Sequence, residues 1–88
     1  MDEVGVLKGL LRDGYPLSIG QAVTVTGVQA ATLRYWERVF GEFFKAVRTG
    51  GNHRCYGTEE INCILTIKRL LKEDKYTMEG AKQVMRRS

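Results

Sequence analysis

Long apolar runs are missing from these 88 residues: none approaches the roughly 18 residues of a membrane span. The opening Met1-Asp-Glu-Val4 also lacks the basic stretch that begins a secretory signal. No tract is low in complexity, and 43% hydrophobic with 27% charged residues is the make-up of a folded chain. A cytoplasmic protein with one small core is therefore expected, without membrane contact. Histidine occurs once and cysteine twice. There are no paired catalytic carboxylates, no phosphate-cradling glycine loop and no nucleophile elbow, so no enzyme is expected. Cys55 and Cys63 are free thiols in a reducing compartment. With His53 they make a trio that lacks the fourth ligand structural zinc requires. Cys63 also falls within the apolar periodicity of a helix, as a core cysteine would. Neither metal nor cofactor is expected.

Basic charge is what the chain has in excess, at net +4. Residues 1–28 hold two basic and three acidic side chains, residues 29–56 five and two, and residues 57–88 seven and five. The excess is densest in the middle third, which favours a polyanionic partner there.

That middle third contains Ala31-Thr-Leu-Arg-Tyr-Trp-Glu-Arg38. The spacing predicts a helix from about Gln29 to Phe40, with Leu33, Trp36 and Phe40 facing inward. Gln29, Ala30, Thr32, Arg34, Tyr35 and Arg38 are left outward. Arginines beside an aromatic hydroxyl suit phosphates and groove edges. Upstream, Ser18-Ile-Gly-Gln21 fits a capping box. It opens a helix from Ile19 to about Thr24 that turns Ile19, Ala22 and Val23 inward, and β-branched Val23, Thr24 and Val25 keep it short. Gly27 supplies the turn between the two helices.

Downstream, Gly41 ends the second helix and Phe43 and Phe44 anchor the connection. Ala46–Thr49 and His53–Tyr56 are strand candidates around a Gly50-Gly-Asn52 tip. Alternation puts Arg54 and Tyr56 on one face and His53 and Cys55 on the other. Arg48 and Arg54 make the hairpin basic. Thr58 is placed as the cap of a helix that carries Ile61, Ile64, Leu65, Ile67, Leu70 and Leu71 and ends near Lys75. Thr77 caps a last helix with Met78, Ala81, Val84 and Met85. This helix has no C-terminal cap at Arg86-Arg-Ser88, as if it continued. Residues 3–12 carry Val4, Leu7, Leu10 and Leu11 on one helical face until Gly14 and Pro16 stop it. Residues 1–16 are thus an extension and 17–88 the domain.

In order and spacing, Ser18-Ile-Gly-Gln-Ala22, Gly27-Val28, Thr32–Arg38, Gly41, Arg48–Tyr56, Glu59-Glu-Ile61, Ile67–Leu71 and Tyr76–Lys82 resemble the N-terminal DNA-binding domain of MerR-family transcriptional regulators. The resemblance covers roughly residues 17–85. It implies a mainly α fold, a winged helix-turn-helix with a β-hairpin wing followed by a helix pair. It further implies double-stranded promoter or operator DNA as partner, within the nucleoid. Carried over residue by residue, Thr32, Arg34 and Tyr35 contact the groove and Arg38 a phosphate. Arg48, His53 and Arg54 are wing contacts, with Tyr56 bracing the wing's base.

Members of the family bind palindromic sites as homodimers, through a long helix after this domain, and many activate transcription by distorting the promoter. That helix and the effector-sensing domain beyond it are not contained in these residues. Ala46 stands where a proline often precedes the wing, and Gly57 where a serine often follows the tyrosine. The alternative on a similar fold is an excisionase-like architectural or protein-interaction module, for which the apolar stripe in residues 3–12 would be the docking element.

Overall fold

A computed structural model describes residues 17–48 and 54–87; the expected helix at 3–12 and the hairpin tip with His53 lie outside the described residues. The element order is β1 (Leu17–Ser18), α1 (Ile19–Thr26), α2 (Ala30–Val39), β2 (Val47–Arg48), β3 (Arg54–Tyr56), α3 (Thr58–Lys68), a π-helical segment (Arg69–Glu73) and α4 (Met78–Arg87). This is the expected mainly α architecture, with a winged helix-turn-helix followed by a helix pair.

The expected capping box opens α1: Gln21 N–H donates to Ser18 Oγ at 3.2 Å, and Ser18 N–H donates to Gln21 Oε1 at 3.0 Å. The helix runs two residues past the expected Thr24. Its β-branched end is held by the burial of Val25 and Thr26, while Thr24 and Thr26 hydroxyls donate back to Gly20 and Ala22 carbonyls at 3.1 and 2.6 Å. The inward face also shifts. Ala22, Val25 and Thr26 are buried, while Ile19 and Val23 only pack against the core's edge. Gly27 then takes φ +72° and its N–H donates to Val23 O, so the turn uses the left-handed conformation that glycine adopts without strain.

In α2, Leu33, Trp36 and Phe40 are buried as the spacing predicts. Gln29 and Phe40 are its two caps, and Phe43 and Phe44 N–H groups both donate to Phe40 O. Gly41 does not end the helix by a left-handed turn, since Gly27 is the one described glycine with positive φ. It sits in the tight turn that follows, where an added Cβ would lie 3.0 Å from Glu37 O.

The sheet has three strands, not the two of a bare hairpin. Antiparallel β3 lies in the middle, with Leu17 opposite Tyr56 and Ser18 opposite Cys55 on one side, and Val47 opposite Cys55 and Arg48 opposite Arg54 on the other. Leu17 and Tyr56 thereby share the core face, and both are buried.

Thr58 is the first residue of α3 and Gly57 its N-cap, so the expected threonine cap is off by one. Glu59 and Glu60 occupy the first turn, where the helix dipole favours acids. Ile61, Ile64, Ile67 and Leu70 complete the core. Beyond Lys68 the helix widens: Asp74 N–H donates to Arg69 O at 3.0 Å, five residues back, and Lys75 closes the segment at φ +60°. Thr77 caps α4 as expected, its Oγ accepting from Gly80 N–H at 3.0 Å. Arg86 fixes α4 to the α2–β2 connection through two bonds to Glu42, at 2.7 and 3.2 Å. No helix among the described residues is long and apolar enough to cross a membrane.

Candidate nucleic-acid interface

The core-facing positions of α2 leave two polar flanks. On one flank, Ala31, Arg34, Tyr35 and Arg38 recur at three- and four-residue spacing and form one stripe. Arg34, Tyr35 and Arg38 are exposed, and the Arg38 guanidinium lies 5.9 Å from the Tyr35 ring centroid, a cation–π contact at the surface. This stripe forms one wall of an open cleft of about 570 Å³ whose other lining includes Lys45 and Arg54. Four cationic side chains therefore converge on one concavity.

Glu37, to which sequence reasoning assigned no role, lies in the same cleft. One carboxylate oxygen accepts from Ala46 N–H at 3.3 Å, just ahead of β2, and the other accepts from Arg54 Nε at 3.0 Å in β3. Both partners of this ion pair are largely shielded, with side chains 16% and 27% exposed. A glutamate among arginines on an otherwise basic helix is the sequence signal that points to such a tie. Lys45 was missed as well, because it falls in an irregular connection without periodicity.

The second flank carries Gln29 and Thr32, beside the edge of buried Trp36, and faces Lys68 and Lys72 across a smaller groove of about 330 Å³. Half-buried Thr32 thus opens on a different groove from Arg34 and Tyr35. Lys68 Nζ donates to Thr26 O at 2.8 Å, placing a cation on the free carbonyls at the end of α1. Thr26 Oγ accepts from Val28 N–H at 3.2 Å, so the turn leading into α2 is bonded from both sides. The four-residue spacing of Lys68, at the end of α3, and Lys72, in the π-helical segment, puts both on one polar face, but only the tertiary fold brings them beside Thr32.

Of the expected wing residues, Arg54 has the placement described, and the backbone of Arg48 pairs opposite it. His53 lies outside the described residues. Tyr56 is fully buried, so it braces the base of the hairpin from inside and offers no surface to a ligand. Among the described residues no three histidine, cysteine or acidic side chains gather as a metal site would need. Burial, helped by the charge of Glu60, pushes the Cys63 thiol up to about 11, so it stays protonated at neutral pH as an inert core thiol does.

The comparisons with known proteins agree with this architecture. Residues 17–88 match the family described as MerR HTH family regulatory protein. The chain is 36% identical over 66 residues to the HTH-type transcriptional repressor CarA of Myxococcus xanthus, covering 74% of this chain and 23% of that protein. It is 30% identical over 69 residues to the HTH-type transcriptional regulator HmrR of Sinorhizobium medicae (strain WSM419), covering 78% of this chain and 46% of that protein. The chain therefore spans less than half the length of either relative. Both relatives are HTH-type transcriptional regulators. With most of its length in one family match, and with the helix-turn-helix and wing in place, this chain belongs to the MerR family of helix-turn-helix regulatory proteins.

Proposed function

We propose that the chain binds duplex DNA sequence-specifically, as a transcription regulator or the DNA-binding part of one. In this reading α2 enters the major groove and the β2–β3 hairpin lies along the neighbouring backbone. The supporting observation is the cleft in which the Arg34, Tyr35 and Arg38 stripe faces Lys45 and Arg54. A helix with its side chains is about 10–12 Å across, and the major groove is about 12 Å wide, so α2 fits with its outward stripe against base edges. Arg34 at the centre of the stripe is the base reader, with Tyr35 beside it and Thr32 on the other flank of α2. Arg38 and the wing residues Arg48, His53 and Arg54 serve the phosphates. Binding to palindromic promoter sites as a homodimer, through a segment outside these 88 residues, goes with this reading.

The test is an anisotropy titration of labelled duplexes, one selected for binding from a random pool and one of mixed sequence, at several salt concentrations. Each phosphate contact contributes about 0.9 to the slope of log affinity against log salt, so several contacts give a steep loss. Arg34→Ala should cost about 1–3 kcal/mol on the selected duplex and relax its preference over the mixed one. Arg54→Ala should weaken both duplexes alike and lower the slope by about one contact. Salt-independent binding, or none to any duplex, would sink the reading.

A further inference from the structure

The bond between Glu37 and Arg54 uses only one edge of the guanidinium. Arg54 meets the carboxylate through Nε, and among the described residues its two terminal nitrogens meet no acceptor. An arginine held at Nε has its long axis fixed while the fork of terminal N–H groups stays available. That fork is the part that pairs with phosphate oxygens in bidentate fashion. The second carboxylate oxygen holds Ala46 N–H, which fixes the backbone entering the hairpin relative to α2. One side chain of α2 thereby sets both where the hairpin starts and how its arginine is presented.

We infer that Glu37 is a positioning residue for the DNA backbone: it presents Arg54 side-on, so that the terminal guanidinium nitrogens meet a phosphate beside the groove occupied by α2. The inference rests on the DNA-binding reading above and adds to it the residue that fixes the spacing between helix and wing. Simple charge counting predicts the opposite. Glu37 is a negative charge in a cleft that also holds Arg34, Arg38, Lys45 and Arg54. Removing it raises the net charge and, without positioning, should tighten binding to a polyanion. The sign of the effect therefore separates the two accounts.

The experiment uses the whole chain and a fluorescein-labelled mixed-sequence duplex, read by anisotropy over a series of potassium chloride concentrations. Glu37→Gln keeps the shape of the side chain, and its amide can serve only one of the two donors. It should weaken binding on the order of three- to tenfold, despite the added positive charge, and lower the salt slope by up to about 0.9 as one phosphate contact is lost. Arg54→Lys keeps the charge but has no Nε, so it should weaken binding to a similar degree. In either the Arg54→Lys or the Arg54→Ala background, Glu37→Gln should have little further effect, because the two residues act as one unit. Thermal unfolding of Glu37→Gln checks that the chain is still folded; Arg54→Lys carries the test if it is not. Equal or tighter binding by Glu37→Gln, or the same weakening in both Arg54 backgrounds, overturns the role of Glu37 while leaving the DNA reading intact. No binding by the unaltered chain at low salt overturns the DNA reading itself.

Discussion

The helix-turn-helix and the wing face the same cleft but are held in place by different means. Nearly every tie in the helix-turn-helix is local: the Ser18–Gln21 box, the Thr26 bonds to Ala22 and Val28, and the left-handed Gly27. Its inner face, with Ala22, Leu33 and Trp36, is also part of the main core. The wing has a two-residue strand paired with a three-residue one, and Val47 on its edge strand is 56% exposed. Its ties to α2 come from Glu37, nine residues away in sequence at Ala46 and 17 away at Arg54. The helix-turn-helix is thus as stable as the domain. The wing is rooted in the core by buried Tyr56, but its placement against α2 depends on a few polar contacts, which can be lost without unfolding the rest.

The largest effect should come from breaking the shared core. Trp36→Ala removes a side chain that is 2% exposed at the centre of α2, with an expected cost of about 3–5 kcal/mol. That is most of the margin of a domain this small, so urea unfolding should lose its cooperative transition or move far to lower denaturant. Val47→Ala on the wing should shift stability by no more than about 0.5 kcal/mol. Comparable losses from the two would show that the wing is part of the cooperative core and remove the distinction.

Gly27→Ala tests the turn alone and should rank second. At φ +72° a side chain costs about 1–2 kcal/mol. The added Cβ would also lie 3.1 Å from Lys68 Nζ, displacing the ammonium from Thr26 O. Denaturation should report the cost, and DNA affinity should fall further than stability because the angle of α2 changes. A variant with unchanged stability would mean that the turn is not what fixes α2.

This division also explains what could be read from the amino acids. The capping box, the glycine turn, the buried Leu33-Trp36-Phe40 stripe and the Thr77 cap are all local patterns, in which residue type and spacing carry the physics. The end of α1 lies beyond the expected Thr24 because β-branching is a local penalty, whereas the burial of Val25 and Thr26 is tertiary. Strand β1 escaped notice because two residues show no alternation, and its partner lies nearly forty positions later. The π-helical turn at Arg69–Glu73 likewise has no periodicity of its own. At the candidate interface, Arg34, Tyr35 and Arg38 were legible as outward basic and aromatic residues of an amphipathic helix, and Arg54 as a basic residue of the hairpin. Glu37, Lys45, Lys68 and Lys72 were not, since their roles exist only where separate elements meet. Tyr56, expected to brace the wing's base, is buried there.

The smallest effect should come from the contact that joins α4 to the connection between the two regions. Arg86 pairs with Glu42 through two bonds, and its hydrogen bond, with its positive charge, holds the Glu42 carboxyl below the usual carboxylate range. A carboxyl whose value is lowered by folding stabilises the fold above its unfolded value, and that contribution disappears as the pH falls through the lowered folded value. Both side chains are exposed, so solvent and salt screen most of the gain. Glu42→Gln should therefore lower the melting temperature slightly at neutral pH and low salt, less than Trp36→Ala or Gly27→Ala does. The difference should vanish in strong acid, where the wild-type carboxyl is protonated, and shrink in high salt. A difference that persists in acid would mean that Glu42 acts through packing. No difference at neutral pH would mean that α4 is held by Ala81 and its apolar neighbours alone, and that nothing beyond the core couples it to the connection carrying the wing.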